Sequence, residues 1–294
     1  MKKITILFLN VIFVNLLFSN SFKLHLLFTN NIHGAIHEVP ARFINPEFSP
    51  ILAGGAGAFT YASKLRKEAK LKGDFVMLTD AGNIFQGSQL GTYDGGANII
   101  KWMNWMAYDA LVPGVRDFDQ GVNNLSQLAF DANFPFIASN LEGVDGIEDY
   151  KIINANGVKI GLIGLITPSI SEGLLPEYYE GVAVSDIMKT LGTQIEKIRS
   201  DVDLIFVLSH LGIPYDREDE YKDFIKDIEQ GVERPIRNAI ELAHFTDEVD
   251  VIITGGVSKG YDTPWVDPTN HTIVLQNYGN LTGIGHLVLH IDNQ

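Results

Sequence analysis

Short runs of β-type residues alternate with stretches of helical periodicity along the chain, and this alternation most narrows the folds open to it. Lys23–Thr29 and Phe75–Thr79 read as strands, and between them Ala58, Phe59, Ala62, Leu65 and Ala69 recur at helical spacing. Trp102, Met103, Trp105 and Met106 line a further helix, where core packing explains them better than a ligand box. Lys151–Ile153 and Val158–Leu165 flank Asn156-Gly157, a pair whose tolerance of positive φ marks a tight hairpin. Leu204–Ser209, Val251–Ile253, Thr272–Gln276 and His286–His290 read as later strands. No internal repeat, low-complexity linker or change of composition interrupts the pattern. The expectation is one α/β unit with helices covering its sheets.

The first residues carry a separate signal. Lys2 and Lys3 precede an apolar run from Ile4 to Phe18, and Ser19 and Ser21 supply small residues before Phe22. A basic start, a short apolar stretch and a small-residue end describe a secretory signal peptide over residues 1–21, leaving residues 22–294 as the mature domain. The apolar run falls short of the about 20 residues needed to span a bilayer. No later segment is apolar enough to do so, and no membrane span is expected after cleavage. An exported protein, periplasmic, surface-bound or extracellular, is implied.

With 294 residues, 46% of them hydrophobic, the chain can bury a large core without covalent staples. It needs to, because it has no cysteine, which excludes disulfides, thiolate metal sites and a cysteine nucleophile. Formal net charge is −14, and loss of Lys2 and Lys3 with the leader takes it to −16. Nucleic acid is therefore not an expected partner, since phosphate backbones need clustered Lys and Arg. The acidic stretch Asp216–Glu233 reads as a solvated helix or loop.

In α/β folds function collects on loops just past strand ends. Asn30–Gly34, Asp80–Gly87, Pro113–Gly121, Ser209–Gly212 and Thr254–Gly260 are such loops, each carrying Gly, polar or charged residues. Taken singly, any could be an ordinary turn. In order, they resemble the metallophosphoesterase domain of the 5′-nucleotidase and UDP-sugar hydrolase family. Leu24–Ile36 (LHLLFTNNIHGAI) resembles that family's LHTNDxHG block, Leu78–Ser88 (LTDAGNIFQGS) its DAGDxFQGS, and Tyr108–Gly121 (YDALVPGVRDFDQG) its YDAxxxGNHEFDxG. Ala138–Leu141, Val207–Gly212 (VLSHLG), Asp250–Gly260 (DVIITGGVSKG) and Gln276–His290 are similar to its remaining segments. The resemblance implies a single-domain, four-layer α/β/β/α sandwich with the site at the strand ends. The family's second, nucleoside-gripping domain has no counterpart before Gln294.

The resemblance also implies a site, residue by residue. Such a domain uses two divalent metal ions held by carboxylates, an Asn and His, with a catalytic His beside that Asn. Here Asn31 stands at the first Asp position and His33 is kept. Asn83 stands at the bridging Asp, Val115 at the ligand Asn, and Arg116 at the catalytic His. His210 is kept, whereas Val257 and Lys259 stand at the last two His. Amides keep the shape of a carboxylate but not its charge, valines cannot coordinate, and a lysine repels a cation. The expectation is accordingly no metal cofactor and no assignable catalytic residue.

Several readings stay open at this point. The positions could be inert, the domain then serving as a structural part or binding an envelope or surface protein. Arg116 and Lys259, with His33 and His210, could form a metal-free pocket for a small phosphate or nucleotide. A nucleotidase-type hydrolase with an altered or single-metal site is the remaining alternative. Asp117 and Asp119 are expected to serve in structural hydrogen bonds. His25, His37, His244, His271, His286 and His290 show no ligand spacing and read as strand or surface residues. No nucleophile-elbow pattern supports a Ser-His-Asp triad.

Overall fold

A computed structural model describes residues 21–42 and 44–292. The proposed signal peptide thus lies, apart from Ser21, outside the described residues. Two six-stranded sheets form the frame. In the first, Phe22–Thr29, Phe75–Asp80, Ala110–Leu111, Phe136–Ile137 and Ile147–Glu148 run parallel, and Gly285–Ile291 closes the edge antiparallel to Phe22–Thr29. In the second, Val158–Ile166, Leu204–His210, Val251–Thr254 and Ile273–Leu275 run parallel, flanked by antiparallel Tyr150–Ala155 and Trp265–Val266.

Period-two alternation divides the strand side chains between two cores. Ile160, Leu162 and Ile166, Phe206 and Leu208, and Val251 and Ile253 join Leu24, Leu26 and Met77 of the first sheet in one cluster. Their alternates Ile163 and Leu165, Ile205 and Val207, and Ile252 pack instead with the helices Ile187–Ile198 and Ala239–His244. The helices Ala97–Met106 and Val122–Asp131 bury Met103, Met106, Leu125 and Leu128 in the first cluster. The result is the four-layer α/β/β/α sandwich. At Gly164 the two sheets approach closely: a Cβ there would lie 2.1 Å from the Ile137 carbonyl oxygen.

The hairpin turns at Asn156 and Gly157 with φ of 54° and 100°, as its sequence demands. Two expectations need correction. Trp105 is 75% exposed while Trp102, Met103 and Met106 are buried, so the helix leaves one of its aromatic residues on the surface. Trp105 instead borders a shallow apolar groove with Phe59 and Ile36. Thr272 and Gln276 lie just outside the strand Ile273–Leu275, because their side chains bond neighbouring loops: Thr272 donates to the Thr246 and Val249 carbonyls, Gln276 to that of Lys259. The acidic stretch forms the helix Arg217–Glu229.

Candidate functional site at the strand ends

The parallel strands of both sheets point their carboxyl ends the same way, which brings the five loops together. The Asn30–Gly34 and Asp80–Gly87 loops run side by side. Asn31, His33 and Gly34 donate their backbone N–H groups to the carbonyls of Gly82, Asn83 and Ile84 at 2.8–3.0 Å. Asn31, His33 and Asn83 all have φ between 50° and 62°. This left-handed region suits Asn, whose short polar side chain can bond locally, better than most residues.

Asn31 and Asn83 are buried at the centre. Asn31 Oδ1 accepts from Gly256 N at 3.1 Å and from Asn83 Nδ2 at 3.4 Å, and its Nδ2 donates to Ser258 Oγ at 3.3 Å. Asn83 Oδ1 accepts from Arg116 N at 2.8 Å. The two amides thereby tie together loops from both sheets. Beneath them, fully buried Asp117 accepts from the N–H groups of Gly114, Asn83 and Ile84 at 2.7–2.8 Å. Burial pushes its carboxyl up to about 6, the three donated bonds working against that rise. Gly114 must be glycine here, since a Cβ would meet Asn83 Oδ1 at 2.4 Å and His210 Cε1 at 2.5 Å.

Both retained histidines are fixed in tautomer. His210 Nδ1 donates to Ala81 O at 2.6 Å and His33 Nδ1 to Gln86 O at 2.8 Å, which leaves each Nε2 as the acceptor. Burial lowers the His210 pKa to about 4, with the neighbouring His33 adding to the shift. His33 is lowered by burial and by the Arg116 charge, against the Gln86 bond. Both rings are therefore neutral at pH 7.

The other predicted site side chains diverge. Val257 turns toward Gly212, and Val115 toward Gly173. Arg116 is exposed, reaching Gly173 O at 3.2 Å and Asp119 at 3.5 Å. Lys259 turns onto another loop, donating to Tyr215 O at 2.6 Å with its ammonium 4.9 Å from the Tyr261 ring centre. The fold thus gathers Asn31, His33, Asn83, Arg116 and His210, whereas Lys259 is engaged by Tyr215 and Tyr261. Among the described residues, no group of three or more His, Cys, Asp or Glu is arranged to hold a metal ion. Sequence reasoning missed Gly256 and Ser258 as partners of Asn31, more than 220 residues away along the chain, and no local signal could have supplied them.

The sequence matches no family model. It does match curated proteins. Snake venom 5′-nucleotidase of Crotalus adamanteus is 30% identical over 209 residues, covering 68% of this chain and 34% of that protein. The 5′-nucleotidase of Vibrio vulnificus (strain CMCP6) is 27% identical over 246 residues, 81% of this chain and 40% of its own length. The chain belongs to the 5′-nucleotidase family. It spans about a third of the length of the curated 5′-nucleotidases it matches. Solved structures bear out the fold. A calcineurin-like phosphoesterase of Bacillus subtilis superimposes with a TM-score of 0.72 at 23% identity, over 93% of this chain and 86% of that one. A 5′-nucleotidase precursor of Thermus thermophilus gives 0.71 at 21% identity, over 91% and 51%.

Proposed function

We propose that this chain is a non-catalytic member of the 5′-nucleotidase family, an exported binding protein whose strand-end site works without metal. One observation carries the reading: Asn31 and Asn83 engage their amide groups with each other, with Ser258 and with the backbone N–H groups of Gly256 and Arg116. Two dications a few ångströms apart need anionic bridging ligands to offset their repulsion. This donor set offers amides, two neutral imidazoles, two valines and a lysine drawn aside, and it does not suit such a pair.

What remains at the strand ends is an exposed cation suited to a small anion. Arg116 presents a half-exposed guanidinium beside His33, only partly neutralised by Asp119 at 3.5 Å. Guanidinium groups suit bidentate bonds to phosphate, and a phosphate or nucleotide is the ligand class we assign. Export rests on the leader pattern of residues 1–21 and on a relative named as a venom protein. Among the described residues no helix is long and apolar enough to cross a membrane.

Elemental analysis of the purified protein, combined with turnover assays on AMP, UDP-glucose and a chromogenic phosphodiester with added Mn²⁺, Mg²⁺ or Zn²⁺, tests the reading. The expected result is no turnover, and no tightly held metal whose retention depends on His33 or His210. Sustained hydrolysis abolished by His33→Ala or His210→Ala would establish the alternative, an active metal-dependent phosphoester hydrolase. AMP binding in EDTA should weaken at least tenfold in Arg116→Ala.

A further inference from the structure

A second cluster lies on the outer face of the first sheet, away from the strand ends. The antiparallel pairing of Phe22–Thr29 with Gly285–Ile291 sets His25 opposite Val288 and His286 opposite Leu27. The two histidines are therefore diagonal neighbours on one face, within side-chain reach. His25 Nδ1 lies 2.9 Å from His286 Nε2. The outward nitrogen of each ring also has a partner. His25 Nε2 faces Asp74 Oδ2 at 3.7 Å, and His286 Nδ1 lies 2.7 Å from Tyr61 OH on the helix Gly54–Lys72. His25 and Asp74 are largely buried, while His286 is only part-buried and open to water.

We infer that His25 and His286 form a two-imidazole site for a divalent transition metal ion, with Asp74 and Tyr61 positioning the rings. Facing nitrogens are what such an ion needs. Two imidazoles bound to one tetrahedral ion at 2.0–2.1 Å hold their nitrogens ~3.3 Å apart, so the nitrogens separate by only a few tenths of an ångström while each ring turns toward the ion. The outer partners resemble the usual arrangement in which a ligating histidine gives its second N–H to a carboxylate or other acceptor, Asp74 needing to close from 3.7 Å to hydrogen-bond distance. The protons also balance. Without metal, Tyr61 donates to His286 Nδ1, His286 Nε2–H to His25 Nδ1, and His25 Nε2–H points to Asp74. On binding, the His286 proton moves from Nε2 to Nδ1, where Tyr61 oxygen accepts it, and both facing lone pairs turn to the ion. Imidazole donors without an inner carboxylate select Zn²⁺, Cu²⁺ or Ni²⁺ over Mg²⁺ or Ca²⁺, with water completing the shell. The ion would pin the edge strand Gly285–Ile291 to its neighbour and, through Tyr61, to the covering helix.

The test is titration of the full chain with Zn²⁺ and Cu²⁺ by calorimetry, with electron paramagnetic resonance of the Cu²⁺ form. Saturable binding at one site is expected, with hyperfine splitting from two nitrogens. His25→Gln and His286→Gln should each weaken it tenfold or more, and His33→Ala and His210→Ala should leave it unchanged. Asp74→Asn and Tyr61→Phe should weaken it about tenfold while the two-nitrogen spectrum persists. Zn²⁺ should also raise the unfolding midpoint of the wild type and not of His286→Gln. Absence of saturable binding overturns the assignment. So does binding indifferent to both His25→Gln and His286→Gln, and binding lost only in the His33 and His210 variants would move the ion to the strand-end site. The copper spectrum of the wild type is read without any variant, so a misfolded mutant cannot decide the outcome.

Discussion

The side-chain oxygen of Asn83 accepts the backbone N–H of Arg116 at 2.8 Å. A neutral amide thus fastens the loop that carries Arg116 to the Asp80–Gly87 loop. The site is closed by neutral hydrogen bonds, and its energetics follow from that.

Restoring charge should therefore cost stability. Asn31→Asp with Asn83→Asp places two buried carboxylates side by side with no cation between them. Desolvation and mutual repulsion should lower the unfolding free energy by about 1–3 kcal/mol at pH 7 in EDTA. Urea denaturation reads this directly, and an unchanged midpoint would refute the neutral-network account.

Asp117 cannot be replaced by its amide. Both of its oxygens accept backbone N–H groups, so Asp117→Asn must turn an NH₂ toward a donor and leave that N–H unsatisfied. A loss of about 2–4 kcal/mol is expected in the same denaturation experiment.

His210 should make stability fall as the pH falls. Its pKa drops from 6.5 unfolded to about 4 folded, so between those values the unfolded chain binds more protons. Its contribution is fully present above pH 6.5 and is lost on the way down through pH 4, amounting to about 3 kcal/mol. Asp117 works oppositely: its raised pKa makes stability fall as pH rises from 3.8 through about 6. Comparing wild type with His210→Gln across pH 4–7 isolates the histidine, whose slope should vanish in the variant. Its ring resonances should titrate near pH 4.

Glycines separate by their surroundings. Gly164→Ala drives a methyl group to 2.1 Å from the Ile137 carbonyl and should cost more than about 3 kcal/mol, because two sheets must part. Gly192, within the helix Ile187–Ile198, has open space, and Gly192→Ala should gain about 0.5–1 kcal/mol. Thermal unfolding of the two variants should move in opposite directions.

Much of the architecture was legible in the chain. Strands such as Val158–Ile166 and Leu204–His210 announce themselves by β-rich runs, and Asn156-Gly157 specifies its own hairpin, because these preferences act between near neighbours. The ordered loop blocks likewise indicated that Asn31, His33, Asn83, Arg116 and His210 meet at the strand ends but not that Lys259 turns away, and Asp117 serves the structural hydrogen bonding expected of it. Trp105 was misjudged because helical spacing gives a face but not how wide a stripe the neighbouring helix covers.

By itself, then, the sequence determined the layer pattern, the acidic and cysteine-free character, and the presence of amides rather than carboxylates at Asn31 and Asn83. Only the tertiary structure decided that those amides bond Ser258, Gly256 and Arg116, that Lys259 turns onto Tyr215, and that His25 faces His286. The physical reason is range. Propensity and patterning act over a few residues, whereas side-chain hydrogen bonds form between groups that only sheet register and loop closure bring within 3.5 Å.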